Sequence, residues 1–120
     1  MKPEEKNPAG CVLVIDDEAL VRRGTARLLR TFGWTVIEAE SPADLDGIFR
    51  EHPEIEVVLS DLDMPDGGGE RVVAEAPVPV VILSGNGRCS QVGAAEWLMK
   101  PARAEEIEWA LRSALAGGES

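Results

Sequence analysis

A chain of 120 residues that is 44% hydrophobic and 28% charged has the size of one globular domain and too much core material for a disordered segment. Its 22 acidic residues against 12 basic ones give a formal net charge of −10, which repels phosphate backbones and anionic lipid and argues against direct nucleic-acid or membrane binding. The apolar runs are too short for a membrane-spanning helix, and residues 1–10, MKPEEKNPAG, lack a signal peptide's apolar stretch and read as a disordered leader, which points to a cytoplasmic domain.

Residues 11–15, CVLVI, are β-rich, apolar on both faces and followed at once by acids, the pattern of a buried parallel strand. Residues 18–32 turn helical, with Val21, Leu28, Leu29 and Phe32 on one stripe, Arg22, Arg23, Arg27 and Arg30 off it, and Gly33 closing the helix. A second short strand covers 35–38. Ser41, Pro42 and Asp44 mark the next helix start, a hydroxyl cap, a proline at the first position and an acid in the first turn, ahead of a stripe of Leu45, Ile48 and Phe49. Strands follow at 57–60, 80–83 and, more weakly, 96–98, and the segment before the second of these leaves room for only two helical turns over 70–76. A last helix over 104–116 buries Ile107, Leu111, Ala114 and Leu115 and leaves Trp109 off that face, and 117–120 is a flexible tail. Strands alternating with helices predict one α/β domain over 11–116, a doubly wound, five-stranded parallel sheet with ligands bound beyond the carboxyl ends of its strands.

Two cysteines, Cys11 and Cys89, and a single histidine, His52, supply neither a disulfide framework nor a zinc pattern nor a Ser-His-Asp set, so the chemistry falls to carboxylates, hydroxyls and lysine. These residues stand at the strand ends. Asp16, Asp17 and Glu18 follow the first strand, Ser60 and Asp61 close the third with Asp63 two further on, Ser84 closes the fourth, and Lys100 follows the fifth. An acidic pair after a strand is often only a helix cap, and an isolated Asp only a turn residue; the joint occurrence is what signals a site. Carboxylates crowded on one sheet edge repel one another unless a cation neutralises them, and hard oxygen donors with room for water suit Mg²⁺. A hydroxyl and an ammonium beside them suit phosphate oxygens, which points to phosphoryl transfer onto a carboxylate.

These segments resemble the response-regulator receiver domain of two-component signalling along nearly the whole chain. VLVIDDE is similar to that family's first strand and acidic pair, SDLDMP to its phosphoacceptor segment, VVILSG to its fourth strand with the switch hydroxyl, and GAAEWLMKP to its fifth strand with the lysine. The resemblance implies a flavodoxin-like fold and a switch in which Asp61 accepts a phosphoryl group from a sensor histidine kinase or a histidine phosphotransfer protein. It implies that Asp17 binds Mg²⁺ directly, that Asp16 assists through water, and that Asp61 and the Asp63 main-chain carbonyl complete the shell. By the same likeness Ser84 and Lys100 hold the phosphate, Ser84 and Trp97 form the switch, and the Asp63 and Asn86 side chains tune phosphate lifetime. Such a protein assists its own phosphorylation and dephosphorylation rather than working as a multi-substrate enzyme, and passes its state to an output protein by docking.

The sequence departs from the family's pattern between Pro65 and Lys100. The third helix is cut to two turns, and 86–93, Gly-flanked and polar, leaves room for at most a shortened helix, or none, between the fourth and fifth strands. Trp97 stands where the family commonly has Tyr or Phe. Two competing readings stay open: a receiver-like scaffold that is never phosphorylated, which the shortened region favours, and a haloacid-dehalogenase-like phosphatase, whose DxD motif Asp61-Leu62-Asp63 matches but whose order of elements is reversed here. An EF-hand reading of the same segment fails, because Asp66 and Val72 stand where that loop needs Gly and Glu.

Overall fold

The structure, a computed structural model, describes residues 9–85 and 93–117. Its elements in chain order are β1 (Gly10–Ile15), α1 (Ala19–Thr31), β2 (Trp34–Ala39), a 3-10 turn (Pro42–Asp44) running into α2 (Leu45–Glu51), β3 (Val57–Asp61), α3 (Gly68–Glu75), β4 (Val80–Ser84), β5 (Glu96–Met99) and α4 (Ala104–Gly117). Most of the expected leader, the last three residues of the expected tail, residues 86–92 with the shortened or missing helix between β4 and β5, and Asn86 lie outside the described residues. The eight residues of α3 fit the two turns that the sequence allows.

All strand pairs are parallel and the order is β2-β1-β3-β4-β5, so the chain winds outward from β1 to β2 and then returns to the other side at β3. The strand order therefore reverses between β1 and β3, and the carboxyl ends of these two strands open a crevice there. The period-two alternation of strand side chains divides the core between the two faces. Val12 and Val14 of β1, Val57 and Leu59 of β3 and Val81 and Leu83 of β4 pack with Ala26 and Leu29 of α1 and Ile107, Ala110, Leu111 and Ala114 of α4. Cys11, Leu13, Ile15, Val58, Val80 and Ile82 face the other way, against Leu45 of α2 and Val72 of α3. Each Val, Leu or Ile among them contributes about 1.5–3 kcal/mol by leaving water, so the central strands fix the sheet and the site rides on their ends.

The helix starts follow the sequence signals. Ser41 Oγ accepts the Ala43 N–H at 2.9 Å with Pro42 at the first position of the turn. At the end of α1, Gly33 adopts φ +99°, a left-handed conformation that a side chain disfavours. The expected stripe of α1 is corrected. Val21 is 46% and Leu28 39% exposed, and the inward face runs through Arg22, Ala26 and Leu29, spaced i, i+4, i+7, with Phe32 partly buried beside it. Ala26 lets the helix backbone approach the sheet, and Arg22 is drawn inward by oxygen acceptors at the end of β1 and on β2. Among the described residues no helix is long and apolar enough to cross a membrane.

Candidate functional site

Asp16 stands where β1 gives way to α1, and its backbone and side chain both serve that turn. Its N–H donates to Ala39 O at 3.1 Å, and its Oδ1 accepts the Glu18 N–H at 2.9 Å. Asp17 is thereby turned outward and exposed at the sheet edge, while Asp16 and, on the neighbouring strand, Asp61 are buried. One carboxylate oxygen from each of Asp16, Asp17 and Asp61 falls within 4.8 Å of the others. Two chain segments far apart in sequence thus bring three acids to the reversal point of the sheet.

Lys100 enters from the far side. The Lys100 N–H donates to Ser84 O at 2.9 Å, which extends the β4–β5 pairing by one residue and aims the side chain back across the edge. Its Nζ lies 2.8 Å from Asp61 Oδ1. Burial lifts the Asp61 carboxyl above the ordinary aspartate range; the Lys100 ammonium pulls the other way, and the charges of Asp16 and Asp17 add to the rise. At Lys100 burial works against the charge, but the hydrogen bond to Asp61 and the charges of Asp61, Asp16 and Glu18 outweigh it and raise the ammonium's pKa. The two directions agree with exposure. Asp61, whose side chain is 11% exposed, is governed by burial, and Lys100, at 33%, by its partners. Ser84 closes β4 next to this pair and is buried.

The turn after β3 carries Asp63 on the exposed side and packs tightly below. Three successive residues, Asp66, Gly67 and Gly68, take φ values of +66°, +101° and +60°, and the chain doubles back so that the Gly69 N–H donates to Leu62 O at 2.8 Å. A Cβ at Gly69 would sit 3.0 Å from Asp61 O, so α3 starts against the backbone of β3. Ser60 Oγ donates to Asp61 O at 2.8 Å, fixing the same peptide. The Lys100–Pro101 peptide is cis.

Trp97 pairs in register with Ile82 and packs with the core facing α2 and α3, its Nε1 buried without a hydrogen-bond partner among the described residues. Ser84, two residues beyond Ile82, shares that face of β4. Trp109 is 61% exposed on α4, as its place off the apolar stripe predicts. The residue that sequence reasoning passed over is Arg22. Its spacing with Ala26 and Leu29 was the available signal, and its charge placed it with the solvent-facing arginines.

Three carboxylates and one ammonium at one point can hold a hard divalent cation and, beside it, present a carboxylate as a nucleophile. The sequence model of the response regulator receiver domain matches residues 12–112. The chain is 36% identical over 115 residues to the probable transcriptional regulator ycf27 of Porphyridium aerugineum, covering 87% of this chain and 47% of that protein. It is 30% identical over 114 residues to the two-component response regulator ARR11 of Arabidopsis thaliana, covering 85% and 22%. The chain thus spans half or less of these relatives' lengths. The crystal structure of a response regulator receiver domain protein from Clostridium thermocellum superposes with a TM-score of 0.82 at 31% identity, covering 92% of this chain and 97% of that one.

Proposed function

The chain belongs to the response regulator receiver domain family, and from that premise we propose that it is a phosphorylation-dependent switch of a two-component system, taking a phosphoryl group onto Asp61. The observation that carries this reading is the convergence of the Asp16, Asp17 and Asp61 carboxylates within 4.8 Å, with Lys100 Nζ 2.8 Å from Asp61.

The donor set fits Mg²⁺. Three carboxylates against one ammonium leave an excess of negative charge, the donors are hard oxygens, and exposed Asp17 keeps the site open to the waters that Mg²⁺ retains. Asp16, Asp17 and Asp61 would hold the ion together with the Asp63 main-chain carbonyl. When bound, it neutralises charge on the phosphoryl oxygens during transfer.

The remaining chemistry belongs to the chain. An Asp61 carboxylate oxygen forms the bond to phosphorus as the P–N bond to the donor histidine breaks, and the imidazole leaves with the electron pair. Lys100 pairs with the transferred group, and the Ser84 hydroxyl donates to it. Ser84 and Trp97 then shift between two states whose populations the phosphoryl group biases. The Asp63 side chain, exposed at the rim, and Asn86, outside the described residues, are assigned to tuning access of the hydrolytic water. The family is a phosphoacceptor domain, and here the chain assists its own phosphorylation and dephosphorylation. Its partners are a sensor histidine kinase or histidine phosphotransfer protein of the cytoplasm and an output protein that docks on the switched surface.

Intact mass after incubation with acetyl phosphate, with and without Mg²⁺, tests the reading. A single phosphoryl adduct on wild type that needs Mg²⁺ and is lost in Asp61→Asn is the expected result. No adduct from acetyl phosphate or from a panel of kinases would make the unphosphorylated scaffold the better account.

A further inference from the structure

We infer that Arg22 is the positioning residue of the acid pair, a clamp that holds the β1–α1 turn so that Asp16 and Asp17 stand opposite Asp61. The inference rests on the reading of that acid cluster as a cation site.

Arg22 lies in the first turn of α1, and its side chain is 12% exposed. Its guanidinium serves two acceptors on two other parts of the fold. Nη1 donates to the Asp16 carbonyl at 2.8 Å, and Nε donates to Glu38 Oε1 on β2 at 3.2 Å. Glu38 is held in turn by Arg30, whose Nη2 is 3.8 Å from Glu38 Oε2 and donates to Val36 O at 3.1 Å. Asp16 is consequently tied at three points: its N–H to Ala39 O, its carbonyl to Arg22 and its Oδ1 to the Glu18 N–H. With Oδ1 accepting the Glu18 N–H, the Asp16 carboxylate is held to the turn while the residue still offers one oxygen to the cluster.

The charge of Arg22 is spent on Glu38, so the residue does not compensate the acid cluster as Lys100 does. Its contribution is geometric. A planar fork with separate donors spans a carbonyl and a carboxylate at once, which a lysine ammonium on a flexible stem does not reproduce. Without it, the Asp16 carbonyl and the Glu38 carboxylate lose a shared donor, and the turn that presents Asp16 and Asp17 is free to open. Groups that orient metal ligands without touching the metal commonly change affinity by about 10–100-fold.

The test compares wild type, Arg22→Ala, Arg22→Lys and Glu38→Gln, with Arg27→Ala as a control on the exposed side of the same helix. Mg²⁺ affinity is read by calorimetric titration. Amide hydrogen exchange at Asp16 and Glu18, the hydrogen-bonded amides of the turn, is read in metal-free buffer, relative to core amides of β3 and β4. Arg22→Ala is expected to weaken Mg²⁺ binding about tenfold and to speed exchange at the turn with the core amides unchanged. Arg22→Lys should recover part of the affinity, Glu38→Gln should lose less than Arg22→Ala in the same direction, and Arg27→Ala should match wild type. If Arg22→Ala, or Glu38→Gln should the former not fold, binds Mg²⁺ and exchanges at the turn as wild type does, the inference is overturned while the site reading stands. A wild type that binds no Mg²⁺ overturns both.

Discussion

Lys100 Nζ lies 2.8 Å from Asp61 Oδ1 and supplies the acid cluster with a positive charge from β5, the side of the crevice opposite β1. The lysine meets the carboxylate proposed to accept the phosphoryl group rather than the two that stand beside it, so its loss should impair transfer more than metal binding. Lys100→Ala is expected to slow phosphoryl uptake roughly a hundredfold while changing Mg²⁺ affinity little, and Asp17→Ala to weaken Mg²⁺ binding, and uptake with it, by removing a cation donor. Intact-mass time courses beside Mg²⁺ titrations check both; equal Mg²⁺ affinity in wild type and Asp17→Ala would refute that residue's role. Because the folded chain raises the Lys100 pKa, the stability its pairing contributes is, as far as the lysine's own titration goes, complete below the ordinary lysine value and lost as pH rises through the higher folded one. The stability gap between wild type and Lys100→Ala should therefore narrow at alkaline pH, and again at acid pH as Asp61 takes up a proton and the pair is lost.

Two glycines give opposite expectations. Gly68, at φ +60° in the turn behind the acceptor strand, has no space for a side chain, since an added Cβ would run into the Leu62 carbonyl oxygen. Gly68→Ala should cost about 1–3 kcal/mol through strain and displace the start of α3. Gly24 sits in the exposed middle of α1 with nothing within 4 Å of an added Cβ, so Gly24→Ala should stabilise by about 0.5–1 kcal/mol. Chemical denaturation of the two variants measures the contrast.

The same positions show what the sequence makes readable. Strands buried on both faces are written as unbroken apolar runs, which is why residues 11–15 and 80–83 could be placed to within a residue and why the polar residue ending each run marked the sheet edge. Ser84 and Asp61 were legible for that reason, whereas Lys100 follows the short, half-buried edge strand β5, a weaker signal. The inward face of α1 was not, because a guanidinium reads as solvent-facing and only the fold brings the Asp16 carbonyl and Glu38 within its reach. Nor was the indole of Trp97, whose N–H meets no acceptor among the described residues, since hydrophobic pattern puts a tryptophan in the core without saying what its N–H meets.

That indole, on a partly buried residue, sets up a comparison with the fully buried Trp34. Trp34 Nε1 donates to Glu108 Oε1 at 2.5 Å, tying β2 to α4, and Arg112, which also pairs with Glu108, lies 5.8 Å from the Trp34 ring centre. Trp34→Phe removes a satisfied bond and leaves a carboxylate oxygen short of a donor, at a cost of about 1–3 kcal/mol. Trp97→Phe removes a donor that has no partner among the described residues, so the lost contact area is offset by a relieved desolvation penalty and the change should stay within about 1 kcal/mol. Unfolding free energies of the pair decide it; a loss at Trp97 as large as that at Trp34 would mean that the indole is satisfied.

Asp61 itself is held at a cost that the proposed cation would offset. Its carboxyl binds a proton more tightly in the folded chain than in the unfolded one, chiefly because of burial, so stability falls as pH rises through the interval between the ordinary and the raised value. The full cost is present above that interval. Asparagine at this position carries no charge at any pH, and in metal-free buffer Asp61→Asn should unfold at a higher temperature than wild type at neutral pH. The advantage should shrink as pH falls through the raised folded value and vanish below the ordinary aspartate value near about 4, where the wild-type side chain is protonated in both states. Mg²⁺ should invert the order, since an ion that binds only the folded wild type stabilises it by about 2.7 kcal/mol at about 100 times its Kd. Thermal unfolding of both proteins with chelator and with Mg²⁺ reads the crossing directly. If wild type is already the more stable without metal, the Lys100 pair outweighs burial at Asp61 and the acceptor site needs no cation to be stable.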